Sequence, residues 1–269
     1  KLMLLTKIYC MKLLNYLAAM LFAFSVNAQN VINQTYLDVP LNKIGEFVDL
    51  HEKVTNASIG EGRTIARSFV YRHWYGSDHS IMICDIYASA EDMVKDDIWT
   101  VLGANIEKLP EDEKKEMQET VAKWWGYFNN HTDEVRVVDW QGNWYGKENL
   151  DLDNPYVFVV GSYNSSAGNQ ELIDAYMGWN VKPGVDDGVM WYGGATTHYI
   201  GSGSDVQVWA AYKNIADFAV ANGPEGVRNS EYAGSFWNLV EGSHSDQIYV
   251  HVGNTRNAQG KFNRAGNDN

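Results

Sequence analysis

The chain has 269 residues, 45% of them hydrophobic and 13% aromatic, and a formal net charge of −13. That apolar content excludes a disordered chain and suffices for one large domain or two small ones. The acidic balance excludes nucleic acid and anionic lipid as partners, because both are gripped through Lys and Arg on their phosphates.

Residues 11–28 read MKLLNYLAAMLFAFSVNA: Lys12 behind Met11, an apolar run from Leu13 to Phe24, then Val26-Asn27-Ala28 before Gln29. This is the order of a secretory signal peptide, and its apolar core is too short for a comfortable membrane span. Residues 1–28, upstream residues included, are expected to be removed, leaving a periplasmic or secreted chain with no membrane attachment. Cys10 leaves with them, so Cys84 stands alone and no internal disulfide is possible. Cys84 reads either as a small buried residue or as a reactive thiol.

The first unit, residues 29–138, opens with a short strand near TYLDV. The helix LNKIGEFVDLHEKV follows, with Ile44, Phe47, Val48 and His51 on one face. The strands RSFVYRHWY and SIMICDIYA flank a Gly-Ser turn, and Ser89 is placed to cap a helix that begins at SAEDM. A helix over 111–128 carries Met117, Val121, Trp124, Trp125 and Phe128 on one stripe, and the strand DEVRVV closes the unit. Residues 139–153, DWQGNWYGKENLDLD, read as a polar linker. The second unit, 154–253, repeats the order with PYVFVVGSY, QELIDAYMGW, VMWYGGATTHYI, DVQVWAAY, NIADFAVA and DQIYVHV. Residues 254–269 read as a loose polar tail.

The two units align by residue. An offset of 125 carries His73 to His198, Gly76 to Gly201, Tyr87 to Tyr212 and Asp92 to Asp217. After a length difference of 12, matched by the acidic stretch LPEDEKKEMQETV in the first unit, Trp124 meets Trp237, His131 meets His244 and Asp133 meets Asp246. The chain reads as a tandem duplication.

The order β-α-β-β-α-β resembles the ferredoxin-like unit, an antiparallel sheet with helices on one face. Two such repeats packed sheet to sheet resemble the dimeric α/β-barrel superfamily, here as a single-chain, monomeric pseudo-dimer of α+β class covering residues 31–253. The resemblance implies chemistry like that of the cofactor-free antibiotic-biosynthesis monooxygenases, with no cofactor and a small organic molecule as partner. Its other members imply two alternatives, a noncatalytic binding or stress-related module and a haem-binding protein. The G-x-x-D-G signature of haem peroxidases is absent, and Trp124-x6-His131 is only a loose likeness to haem degraders.

Strand alternation assigns faces. Pairing His73 with Met82, Tyr71 with Cys84, His198 with Gln207 and Thr196 with Trp209 puts all eight on one side, the lumen. Ile81, Ile83, Val206 and Val208 then face helices, as do Val135, Val137, Ile248 and Val250. Arg136, Val138, Tyr249 and His251 join the lumen. The candidate catalytic residues are His73, His198 and Arg136: the imidazoles for protons and the guanidinium for an anion. Gln207, Trp209, Tyr249, His251 and Met82 are the candidate ligand-binding residues. For His73 and His198 the competing reading is a hydrogen bond to loop backbone. The pairs His131-x-Asp133 and His244-x-Asp246 read as turn closures or as carboxylate-oriented imidazoles. No metal site, G-x-S-x-G elbow, P-loop or dinucleotide fingerprint is present.

Overall fold

The computed structural model describes residues 29–76, 79–147, 150–223, 230–256 and 259–266, the first three residues of the 230–256 segment by backbone alone. The expected signal peptide, residues 1–28, lies outside the described residues. In chain order the elements are β1 (Asn30–Leu37), α1 (Ile44–Ala57), β2 (Arg67–Tyr75), β3 (Ile81–Tyr87), α2 (Ala90–Lys95), α3 (Ile98–Ile106), α4 (Glu111–Gly126) and β4 (Thr132–Val138). After β5 (Trp144–Gly146) come β6 (Val157–Ser165), α5 (Asn169–Tyr176), a π-helical turn (Met177–Val181), α6 (Lys182–Asp186), β7 (Tyr192–Ile200) and β8 (Val206–Tyr212). Helices α7 (Ile215–Asn222) and α8 (Ser230–Leu239), then β9 (Val240–Thr255) and β10 (Asn263–Arg264), complete the chain.

The strands close into an antiparallel eight-stranded barrel in the order β2-β3-β1-β4-β7-β8-β6-β9, with β9 returning to β2. This is an α+β fold. Closure matters physically, because it leaves no barrel strand with an unpaired edge. The helices cover the outside. α1 buries Phe47, Val48, Leu50, His51 and Val54 against Leu37, Val70, Ile81 and Ile83. α5 and the π-helical turn bury Leu172, Ile173 and Trp179 against Val206, Val208 and Ala210. The uniformly aliphatic alternate positions of β3 and β8 therefore face helices, as their period of two requires.

The two halves are joined by two seams with matching register. At one, Val135, Arg136 and Val137 pair with Ile200, His198 and Thr197. At the other, Ile248, Tyr249 and Val250 pair with Tyr75, His73 and Arg72. Both registers break after the first of those pairs. Each seam also has a glycine at positive φ, Gly201 at 111° and Gly76 at 115°. A Cβ on Gly201 would lie 2.9 Å from the Asp133 carbonyl oxygen, and one on Gly76 would lie 2.9 Å from that of Asp246. Only glycine tolerates both the backbone angle and the approach. Helix caps repeat as well. Ser89 Oγ accepts from the Asp92 N–H at 3.0 Å, and Asn214 Oδ1 accepts from the Asp217 N–H at 3.0 Å.

Four expectations need correction. Both hairpins run two residues off the expected register: Tyr71 pairs with Met82, Phe69 with Cys84, Thr196 with Gln207 and Gly194 with Trp209. The His73 N–H bonds to Ser80 O and the His198 N–H to Asp205 O, each at 2.9 Å, so longer loops join the strands. An even slip preserves the faces, so Met82, Cys84, Gln207 and Trp209 still point inward. The linker is not featureless, since β5 extends the sheet along β7 where β4 leaves it. Nor is the tail loose throughout. β10 pairs with β9, Phe262 is buried against His51, and Arg264 bonds to Asp49 and Glu52. β9 itself begins at Val240, earlier than the apolar run suggests.

Candidate functional site

The lumen divides into a polar end and an apolar end. At the polar end, Gln34 Nε2 donates to Gln207 Oε1 at 2.6 Å, Gln207 Nε2 to the Tyr36 hydroxyl at 3.3 Å, and that hydroxyl to Gln34 Oε1 at 3.0 Å. The loop closes on itself. Beside it Arg136, wholly buried, donates from Nε to Thr196 Oγ1 at 2.7 Å and from its terminal nitrogens to Glu134 and to the carbonyls of Thr196, Ser204 and Asp205. Glu134 lies two residues before Arg136 on β4 and so shares its face. Burial presses the Arg136 pKa down while the Glu134 carboxylate holds it up. A satisfied guanidinium of this kind joins strands and has no donor left for a ligand. Outside these groups lies an open polar mouth lined by Tyr36, Glu134, Ser204 and Gln207.

The apolar end is a chamber of 540 Å3. Its walls are Ile32, Phe69, Ile86, Phe158 and Trp209 from the barrel and Trp140, Trp144, Leu150 and Leu152 from the segment between the halves. The volume lies within the range of ligand pockets, and the lining is apolar with a few polar groups, as such pockets require. Those polar groups include Gln34, Thr196, Tyr71, Tyr192 and Arg67. The Tyr192 hydroxyl donates to Tyr156 at 2.8 Å, and the Tyr156 and Tyr71 hydroxyls lie 3.0 Å apart. Burial raises the pKa of all three phenols and of the Cys84 thiol, so each is neutral at physiological pH. No carboxylate or imidazole lines the chamber among the described residues.

Of the sequence-derived site residues, only Trp209 lines this chamber. Met82 is fully buried in the barrel interior beside Tyr36 and Tyr71. His73 Nε2 is 3.1 Å from Gln247 Oε1, and its ring meets Tyr249 edge to face at 5.5 Å. His198 Nε2 is 3.1 Å from the Gly201 carbonyl oxygen, the backbone contact of the competing reading. Gln207 and Arg136 belong to the polar end, and Tyr249 is buried beside Phe158. His251 stacks on Tyr156 at 4.5 Å, accepts from Asn254 at 3.4 Å, and leaves Nδ1 without a partner. Its burial lowers the pKa to about 4. The chamber residues missed by sequence reasoning include Gln34, Arg67, Phe69, Phe158, Tyr192 and the four large apolar side chains of the linker. The signal was available, because Trp140, Trp144, Leu150 and Leu152 are conspicuous in a segment read as polar.

Both His-x-Asp pairs form, His131 to Asp133 at 2.9 Å and His244 to Asp246 at 3.2 Å. Each aspartate also accepts from the sheet, from Thr35 at 2.5 Å and from Tyr163 at 3.0 Å, which fits turn closure. A second cleft, 110 Å3, lies between the first half's sheet and its helices and is lined by His51, Asp85 and Trp124. Trp124 Nε1 donates to His51 Nδ1 at 3.2 Å, and His51 Nε2 has no partner. Burial sets His51 to about 4 and raises Asp85 to about 6. Among the described residues no group of three or more His, Cys, Asp or Glu could hold a metal ion. No helix among them is long and apolar enough to cross a membrane.

No family model and no curated protein matches the chain. Solved structures do. An anthrone oxidase-like protein is 14% identical with a TM-score of 0.56, covering 90% of this chain and 98% of its own. A candidate monooxygenase from Lactobacillus acidophilus is 13% identical with a TM-score of 0.50, covering 83% and 94%. Another from Fusobacterium nucleatum is 11% identical with a TM-score of 0.52, covering 82% and 93%. At such identities the likeness shows the fold, that of the dimeric α/β barrels.

Proposed function

We propose that the chain is an exported small-molecule-binding protein whose ligand occupies the apolar lumen chamber. The observation that carries this is the 540 Å3 cavity walled by indole, phenyl and aliphatic side chains. Export rests on the order of residues 11–28. Recovered extracytoplasmic protein should begin at Gln29. The matched seams, glycines and caps support a tandem duplication of one ferredoxin-like βαββαβ unit, with residues 29–138 and 154–253 as the copies. Because both seams close within one chain, the barrel needs no second subunit, which supports a monomeric pseudo-dimer.

The chamber supports binding better than acid-base catalysis. Its wall carries buried phenols and a thiol that burial holds neutral, and these do not exchange protons near pH 7. Cofactor-independent oxygenation, suggested by the names of the fold neighbours, is the second reading. It is favoured by one observation: the hydroxyls of Tyr71, Tyr156 and Tyr192 form one hydrogen-bonded cluster, and Tyr71 and Tyr192 also line the chamber, where a phenol O–H can turn to steady an enolate oxygen of the ligand.

The test is titration with the neutral fluorophore N-phenyl-1-naphthylamine. Wild type should bind it saturably at one site, and Ile86→Trp, which adds an indole to the chamber wall, should weaken binding at least about tenfold. Absence of saturable binding, or binding indifferent to Ile86→Trp, would remove the chamber as the site. Oxygen uptake linked to ligand loss, and abolished in Tyr71→Phe, would establish the second reading.

A further inference from the structure

Among the described residues the chamber has one charged group, Arg67, and it is the exposed one. Arg67 is the first residue of β2 and is exposed. It pairs with Ile86, and Phe69 and Tyr71 follow at alternate positions, so all four present side chains to the chamber. At a strand rise of ~3.3 Å per residue, Arg67 and Tyr71 stand roughly 13 Å apart along the wall, with the Phe69 ring between them. Cation, ring and hydroxyl therefore form a line along one strand.

The Arg67 side chain has no ion pair or hydrogen bond among the described residues, although acids outnumber bases in this chain by 34 to 21. By contrast Arg63, Arg136, Arg256 and Arg264 each hold a carboxylate. An unpaired guanidinium on the rim of an apolar cavity, with no acid among the described residues of its wall, is a receptor for an anion, which it can grip through two parallel N–H donors. No other described residue of the wall carries a charge.

We propose that the chamber takes an amphipathic anion: an apolar, ring-containing body lying against Phe69, Phe158, Trp140 and Trp209, with one anionic group held by Arg67 at the mouth. This rests on the chamber reading above and assigns the class of ligand to it. A carboxylate, a sulfonate and an ionised enol share the required chemistry.

Two fluorophores with the same anilinonaphthalene body separate the terms: 8-anilinonaphthalene-1-sulfonate, an anion, and N-phenyl-1-naphthylamine, neutral. Arg67→Gln should weaken the sulfonate on the order of fivefold and leave the neutral compound unchanged, because the exposed charge pair alone is lost. Arg67→Lys should recover part of the difference, and added salt should weaken only the sulfonate. If wild type binds both compounds and Arg67→Gln leaves the sulfonate unchanged, or weakens both equally, the anion proposal fails while the chamber stands. If wild type binds neither, the chamber reading itself fails.

Discussion

The two ends of the lumen are built from the same strands and do opposite things. At the polar end the hydrogen-bonding groups satisfy one another: Gln34, Tyr36 and Gln207 in a closed loop, Arg136 with Glu134, Thr196 and three carbonyls. At the apolar end four linker side chains and the barrel wall surround space that none of the described residues fills. The contrast teaches that polar residue types inside a barrel do not by themselves mark a site. A buried polar group is expensive unless paired, so the residues with the most conspicuous chemistry are those most firmly tied into the scaffold. Binding capacity lies where the chain has left its donors few and its surface apolar.

The most forceful way to break this contrast is at Arg136. Replacing it with Met strands the buried Glu134 carboxylate and should cost about 3–5 kcal/mol of stability by urea denaturation. Removing both, in Arg136→Met with Glu134→Leu, should recover much of that loss, since a well-packed apolar pair often replaces a buried ion pair. Folded Arg136→Met should bind N-phenyl-1-naphthylamine as wild type does. A binding defect at unchanged stability would reverse the assignment and make Arg136 a ligand residue.

Next in size is the proton linkage of His251, the imidazole stacked beneath the tyrosine trio. Its folded pKa, about 4, lies below the ordinary 6.5. Between those values the unfolded chain binds the extra proton, so His251 favours folding fully above pH 6.5 and progressively less as pH falls to 4. The shift corresponds to about 3 kcal/mol. His51 acts in the same direction, and Asp85, raised to about 6, acts oppositely by gaining its proton in the folded state first. Comparing wild type with His251→Gln isolates one contribution. Their stability difference should narrow by about that amount from pH 7 to pH 4, and a constant difference would show that His251 is not held neutral.

How much of this was legible depended on parity and on neighbours. The alternation of β3 and β8 placed Met82, Cys84, Gln207 and Trp209 inward, and a register error of two residues did no harm because faces repeat every two. The seams were legible as repeated His, Gly and Asp positions. Satisfaction was not legible: that Arg136 reaches carbonyls of Ser204 and Asp205 depends on the closure of β4 against β7, which no local pattern specifies. The linker misled for a related reason. Its turn residues govern local backbone, while Trp140 and Leu152 are buried only by contacts made after the barrel has closed.

The smallest expected effect is also the sharpest test of where binding lies. Trp140 belongs to a connecting segment, is partly buried, and meets Trp209 edge to face at 6.3 Å over the chamber. Trp140→Ala removes no hydrogen-bonded partner of the scaffold, so stability should fall by only about 1 kcal/mol. An indole face covering ~50 Å2 of ligand is worth about 1.3 kcal/mol at ~25 cal/mol per Å2, which predicts roughly tenfold weaker binding of N-phenyl-1-naphthylamine. Gln207→Leu, at the other end of the same barrel, removes more hydrogen bonding and should leave that affinity unchanged. If the two variants exchanged these outcomes, the polar mouth would be the site and the apolar chamber merely loose packing.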